Sequence, residues 1–361
     1  MKLLTPGPVT LSRRVLKALS KQVVSHRVEE FRRVLKETLE LLKQVYECDD
    51  EVVLLTGSGT SAVDAMIYSL VKPGDKVVLV SHGEFGLRAY KTLKSRGANV
   101  KVVQGDWSKP VDPEFVMSVI DDVKPNILMM IYTETSIGLT YRDAMKISKY
   151  AKAYDTVVLV DAVSALAGEK LSVKNYYFDA VASCSQKAIA APPGLSFIAL
   201  SDEAIKLVVK TPSKPLYYDL ARYLEFHRRN ETPYTPAVNL VYALREALRE
   251  IVEYGVNNWI EKHSVRAGRL YSILGKHLEP LVKFESYRSN TVTAFKLPCG
   301  VTASDIIRTV KSRGYVIARG MGELREKIIR IGTMGDITLN DINNVINIVI
   351  EYLESRASQG T

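Results

Sequence analysis

Cysteine is scarce: Cys48, Cys184 and Cys299 are the three in 361 residues, far apart and without a CxxC or Cys/His spacing. That rules out reading a disulfide framework or a zinc pattern, so no metal is expected and a reducing compartment fits. Long apolar runs are missing too, and none approaches the roughly 20 residues of a membrane helix. The opening MKLLTPGPVT meets two prolines and a glycine before a signal-peptide core could develop. The expected location is the cytoplasm, with no membrane partner. Low-complexity tracts and internal repeats are also absent, so organisation has to be read from alternating apolar and helical segments.

What is present suits an ordinary globular protein. With 47% hydrophobic and 25% charged residues, the chain can bury a large core, and its length suggests two domains. The net charge of +9 raises the question of nucleic acid. Basic residues are interleaved with acids, however, as in EEFRRVLKETLE and LREALREIVEY, at spacings that make solvated helix faces with local ion pairs. No nucleic-acid partner is expected. A basic surface also attracts small anions.

HRVEEFRRVLKETLELLKQVYE places Phe31, Leu35, Leu42 and Val45 on one stripe, which predicts an amphipathic helix. Short aliphatic runs follow (EVVLLT, KVVLVS, NVKVV, NILMMIY, TVVLV, FDAVAS, LSFIAL), separated mostly by helix-like segments. This alternation predicts an α/β fold with a mainly parallel sheet covered on both faces. The polar stretch Arg222 to Pro236 reads as a loop. Beyond it lie two helical segments, strand-like KFESY and NTVTAFKL, the helix ASDIIRTVKSRG, the strand EKIIRIG and a closing helix. The expected division is an N-terminal arm over 1–10, a large domain over 11–244 and a smaller α/β domain over 245–361.

Ligands of open parallel sheets gather beyond the carboxyl ends of the strands, so the residues after each run are the candidates. After EVVLLT comes Gly57-Ser58-Gly59-Thr60, then a helix. Such a turn offers N–H groups and hydroxyls to a phosphate, but lacks the lysine of a Walker loop and the last glycine of a dinucleotide motif. An ordinary turn, with Ser58 or Thr60 capping the helix, is the other reading. TVVLV ends in Asp161, a carboxylate needing a buried partner: a protonated ring nitrogen, a turn or an arginine. Lys187 follows FDAVASCSQ and precedes the uncharged AIAAPPG, a setting that lowers a lysine pKa and suits a Schiff-base former. Arg330 lies inside the apolar strand EKIIRIG, where a guanidinium needs a carboxylate or phosphate, structural or from a substrate.

In this order these segments resemble the class V aminotransferases of fold type I, in particular the alanine-glyoxylate and serine-pyruvate branch. The resemblance runs from LTPGP at Leu4 to RIGTMGD at Arg330 and the helix beyond, and is most specific at LVDAVSALAGE and SCSQKAIAAPPG. It implies pyridoxal 5'-phosphate as cofactor, held by Lys187 as a Schiff base, with Asp161 on the pyridine nitrogen and Gln186 at or beside the ring hydroxyl. It also implies that Ser58, Gly59 and Thr60 bind the phosphate and that Thr135, in YTETSIG, reaches the cofactor. Phe85 stands where that branch often has a stacking Trp. Thr232 and Thr235, in NETPYTP, would complete the neighbouring subunit's phosphate site, making a homodimer with shared active sites; some relatives carry Tyr in place of Thr232. Arg330 would clamp the substrate carboxylate.

The implied reaction is ping-pong transamination between an amino acid and a 2-oxo acid, with Lys187 moving the α-proton. No second arginine for a distal carboxylate is obvious, so serine or alanine is the expected donor and glyoxylate or pyruvate the acceptor. Aspartate or 2-aminoethylphosphonate transamination and cysteine desulfuration are the enzymatic alternatives; the last needs a mobile thiol, for which Cys299 is a poor match. A cofactor-binding regulator is the alternative outside enzymology.

Overall fold

In the computed structural model, which describes residues 1–212 and 214–357, each aliphatic run becomes a strand, and all but the edge strand from NVKVV are buried on both faces. The chain passes through β1 (Lys2–Leu3), α1 (Arg13–Leu19), α2 (Glu29–Tyr46), β2 (Glu51–Thr56), α3 (Gly59–Leu70), β3 (Lys76–Ser81), α4 (Glu84–Arg96), β4 (Asn99–Gln104), α5 (Pro113–Val123) and β5 (Ile127–Ile131). A short hairpin, β6 (Thr133–Glu134) and β7 (Leu139–Thr140), precedes α6 (Ala144–Ala151), β8 (Val157–Asp161), β9 (Ala180–Cys184) and β10 (Leu195–Leu200). Then come α7 (Asp202–Lys210), α8 (Leu220–His227), α9 (Val238–Tyr254) and α10 (Val256–Leu274). The last part holds β11 (Val292–Lys296), α11 (Ala303–Ser312), β12 (Tyr315–Val316), β13 (Ala318–Arg319), β14 (Ile328–Gly332) and α12 (Leu339–Ala357).

The central sheet has the order β2-β10-β9-β8-β5-β3-β4. Its pairs are parallel except those of β10, which runs antiparallel to both β2 and β9. Alternate residues divide the interior in two. Val78, Val80, Leu128 and Met130 face a core with α1, α2, α5, α6 and α9, while Val77, Leu79, Ile127 and Met129 face one with α3, α4, α7 and α8. This period of two explains why the strands read as continuous apolar runs.

The stripe Phe31, Leu35, Leu42 and Val45 of α2 is buried, as its spacing predicts. α9 packs against it and continues unbroken past residue 245, its apolar face belonging to the first core. Two sequence readings are corrected. The first half of the expected loop is α8, whose Leu220, Tyr223, Leu224 and His227 are buried at helical spacing between charged neighbours. The expected strand KFESY is instead a 3-10 turn over Glu285–Tyr287 beside an exposed Phe284.

A third core gathers α10, α11, α12 and the antiparallel sheet β11-β14-β13. The first residues of the chain dock here: β1 pairs in parallel with β12, and Leu4 is fully buried in this core. Among the described residues no helix is long and apolar enough to cross a membrane.

Candidate active site

The parallel strands β2, β3, β5, β8 and β9 end on one side of the sheet, which brings three of the four candidate segments together, and the fourth, with Arg330, reaches them from β14 of the smaller sheet through its bond to Thr135. Asp161 closes β8 with its carboxylate almost wholly buried, and its Oδ1 accepts from the Val163 N–H at 2.9 Å. Burial pushes this carboxyl up to about 6, and the nearby Glu134 adds to the effect. Its other oxygen has no hydrogen bond to protein among the described residues, leaving an acceptor without a donor.

Lys187 lies three residues beyond β9, in a loop shaped by Ser185, whose hydroxyl donates to the Pro192 carbonyl at 2.5 Å. Burial pulls its amine below the ordinary lysine range, and the charge of Arg330 acts in the same direction. Nζ donates to the backbone carbonyl of Pro6. Gln186 is half-buried beside it.

α3 begins at Gly59, and neither Ser58 nor any other side chain caps it, so the capping reading of this turn is not what forms. Ser58 and Thr60 are exposed; Gly59 is buried. A Cβ on Gly59 would lie 2.8 Å from Val163 Cγ2 and 3.2 Å from Cys184 Sγ. Only a glycine lets the helix start approach the strand ends carrying Asp161 and Lys187.

Phe85 sits in the first turn of α4, half-buried, with the Arg88 guanidinium 4.7 Å from its ring centroid. Its N–H, with that of Gly86, donates to Glu134 at 3.2 Å. Thr135 is buried, its hydroxyl 2.5 Å from that of Ser164. Arg330, in β14, donates through Nη1 to the Thr135 carbonyl at 2.9 Å and through Nε to the Arg319 carbonyl at 2.8 Å. It forms no ion pair among the described residues, and the acid that acts on its charge, the buried Glu134, favours the charged form without pairing with it. Burial lowers its guanidinium to about 10.

Two candidates stand apart. Thr232 is buried with its hydroxyl donating to the Tyr234 carbonyl at 2.7 Å, and Thr235 is exposed on the same loop. Neither bonds to the residues around Lys187. The exposed Cys299 lies in the turn after β11, away from the lysine. Sequence reasoning missed Glu134, Ser164, Arg88 and the Pro6-Gly7 contact. Only the glycine between two prolines of LTPGP gave a local signal, because it marks a turn.

The donor set suits pyridoxal phosphate: a buried amine for its aldehyde, an unpaired acceptor for its ring N–H and an uncapped helix start for its phosphate. With the mostly parallel sheet, this defines a pyridoxal-phosphate-dependent transferase of fold type I. The chain belongs to the class V aminotransferases, whose family model, "Aminotransferase class-V", matches residues 10–342. It is 36% identical to an uncharacterized aminotransferase of Methanocaldococcus jannaschii over 92% of this chain and 87% of the relative. The structure of a subgroup IV aspartate aminotransferase from Thermus thermophilus superposes with a TM-score of 0.90 at 32% identity, covering 98% of this chain and 99% of that one. An alanine-glyoxylate aminotransferase from Nostoc sp. gives a TM-score of 0.93 at 28% identity, covering 97% and 94%. The protein is therefore a pyridoxal-phosphate-dependent aminotransferase.

Proposed function

We propose that the protein moves the amino group of a small L-amino acid, serine or alanine, to glyoxylate or pyruvate, as a cytoplasmic homodimer. The observation that carries this is Arg330, a buried guanidinium beside Thr135 that makes no ion pair among the described residues and lies close enough to Lys187 to depress its amine. Burying such a charge without a directly paired anion is costly even with Glu134 nearby, so the site suits an anion that arrives with the substrate.

When bound, the cofactor supplies an electrophilic carbonyl for the substrate amine and a ring that draws electrons from the α-carbon. Lys187 would hold it, and the freed Lys187 amine would take the α-proton from the substrate and pass it on to the cofactor, ending free of it again. A lowered pKa keeps a larger share of that amine neutral, as a base requires. Asp161 keeps the ring nitrogen protonated. Ser58, Gly59 and Thr60 bind the phosphate, Phe85 stacks on the ring, and Thr135 and Gln186 orient its edge. The exposed Thr235 suits a contact to the neighbouring subunit better than Thr232, whose hydroxyl is engaged.

An aspartate donor is the second reading. Arg88, at the rim beside Phe85, is a second cation near Lys187 and Asp161, and the Thermus relative is titled an aspartate aminotransferase.

The test is to give the cofactor-loaded enzyme L-serine, L-alanine or L-aspartate singly, without acceptor. Loss of the yellow absorbance with serine or alanine, restored by glyoxylate or pyruvate, is expected, and Lys187→Ala abolishes both changes. Failure of the parent protein to develop the colour would sink the assignment of Lys187. Discharge by aspartate alone selects the second reading, and discharge by cysteine alone with sulfide release replaces both with desulfuration.

A further inference from the structure

The first ten residues are a strap joining two catalytic parts of the molecule. At one end they belong to the last core: β1 pairs with β12, Lys2 Nζ meets Asp341 at 2.7 Å, and Leu4 is wholly buried. The strap then runs along β14, where the Gly332 N–H donates to the Leu4 carbonyl at 2.7 Å, two residues beyond Arg330. A Cβ on Gly332 would run into the Thr5 carbonyl, so strap and strand touch backbone to backbone. At the other end Pro6 and Gly7 lie on Lys187. Nζ donates to the Pro6 carbonyl, and a Cβ on Gly7 would stand 2.8 Å from Lys187 Cδ and 2.9 Å from the Gln186 carbonyl. Gly7 has φ +103°, a conformation that resists any side chain.

We propose that the Pro6 carbonyl is the seat of the Lys187 amine whenever that amine is not bonded to the cofactor, and that Gly7 positions the lysine there by leaving room for its methylenes. The inference rests on Lys187 being the attachment residue. An amine released inside a buried site needs an acceptor, or its N–H groups go unsatisfied. The seat supplies that acceptor as a neutral carbonyl, which holds a proton on the amine less firmly than a directly bonded carboxylate would. Because the strap is also bonded to β14, one short segment sets the lysine's waiting position relative to the guanidinium that takes the substrate carboxylate. Pro6 and Gly7 are thus positioning residues for the transfer of the α-proton.

Two measurements test this. Full-length protein freed of cofactor is mixed with pyridoxal phosphate, and the growth of the yellow absorbance is followed for the parent and Gly7→Ala. Borohydride reduction and peptide mass spectrometry then locate the linked lysine. The variant is expected to link the cofactor roughly tenfold more slowly or worse, because a misplaced reacting group loses rate steeply. Its affinity for pyridoxamine phosphate, which cannot link to a lysine, is expected to stay that of the parent. Equal linking rates, or an equal loss in both measurements, overturn the seat. A label on another lysine in the parent overturns the assignment of Lys187 itself. Should Gly7→Ala not fold, a crystal structure of the parent with pyridoxamine phosphate decides: Nζ within hydrogen-bonding distance of the Pro6 carbonyl is the expected result, and Nζ directed elsewhere overturns it.

Discussion

Asp161 serves two opposed ends. Without a ring nitrogen beside it, its buried carboxylate is costly, which is why its pKa rises from an ordinary 3.8 to about 6. The folded chain then holds this proton more tightly than the unfolded one, so cofactor-free stability falls as pH rises from about 4 to about 6. Above that window the penalty is about 3 kcal/mol, at roughly 1.4 kcal/mol per pH unit. Asp161→Asn removes it. Calorimetry of cofactor-free protein is expected to show the variant melting above the parent at pH 8, with the two converging near pH 4. Activity moves the other way, falling by roughly 100-fold or more as the ring loses its anionic partner. A variant that melts no higher at pH 8 would show that the parent carboxylate has another counter-charge.

The start of α4 is an element whose position hangs on one side chain. Glu134 is fully buried and accepts from the N–H groups of Phe85, Gly86 and Ser136 and from the Ser136 hydroxyl. Glu134→Ala strands these donors and is expected to cost about 4 kcal/mol or more in thermal unfolding, at roughly 1–3 kcal/mol for each buried group left unpaired. Cofactor dissociation is expected to quicken because Phe85 is no longer held. This dependence was illegible in the sequence: TETSIG exposes Thr135 as a motif residue, but the bond from Glu134 to Phe85 joins segments about fifty residues apart. The strands were legible because burial on both faces leaves uninterrupted aliphatic runs. The direction of β10 was not, since LSFIAL packs equally well pointing either way. α8 was hidden because a window cut at Arg222 leaves out Leu220 and runs on into the polar RRNETPYTP, which masks the helical spacing of Tyr223, Leu224 and His227. Lys187 and Asp161 stood out because charge at the end of an apolar run is visible locally, whereas Ser164 and Pro6 matter only through what they touch.

At the scale of the whole molecule, the chain's two extremes build one core. Leu4→Ala is expected to lower stability by about 2–5 kcal/mol although residue 4 is nearly terminal, because it empties a packed site between α12 and β14. A thermal shift no larger than that of an exposed-residue variant would show the strap to be dispensable for folding. The net charge of +9 should act on anionic acceptors at long range, raising KM with added salt while kcat holds, and initial rates across an ionic-strength series check this. The strap also sets an order of assembly. During synthesis Pro6 and Gly7 leave the ribosome about three hundred residues before β12 and β14, to which the strap docks. The large sheet can collapse around Lys187 with its phosphate turn in place and still lack Arg330 and the seat for the free amine. A chain stalled before β14 can therefore fold much of its interior without completing the catalytic centre, so competence for turnover doubles as a check that translation has passed β14.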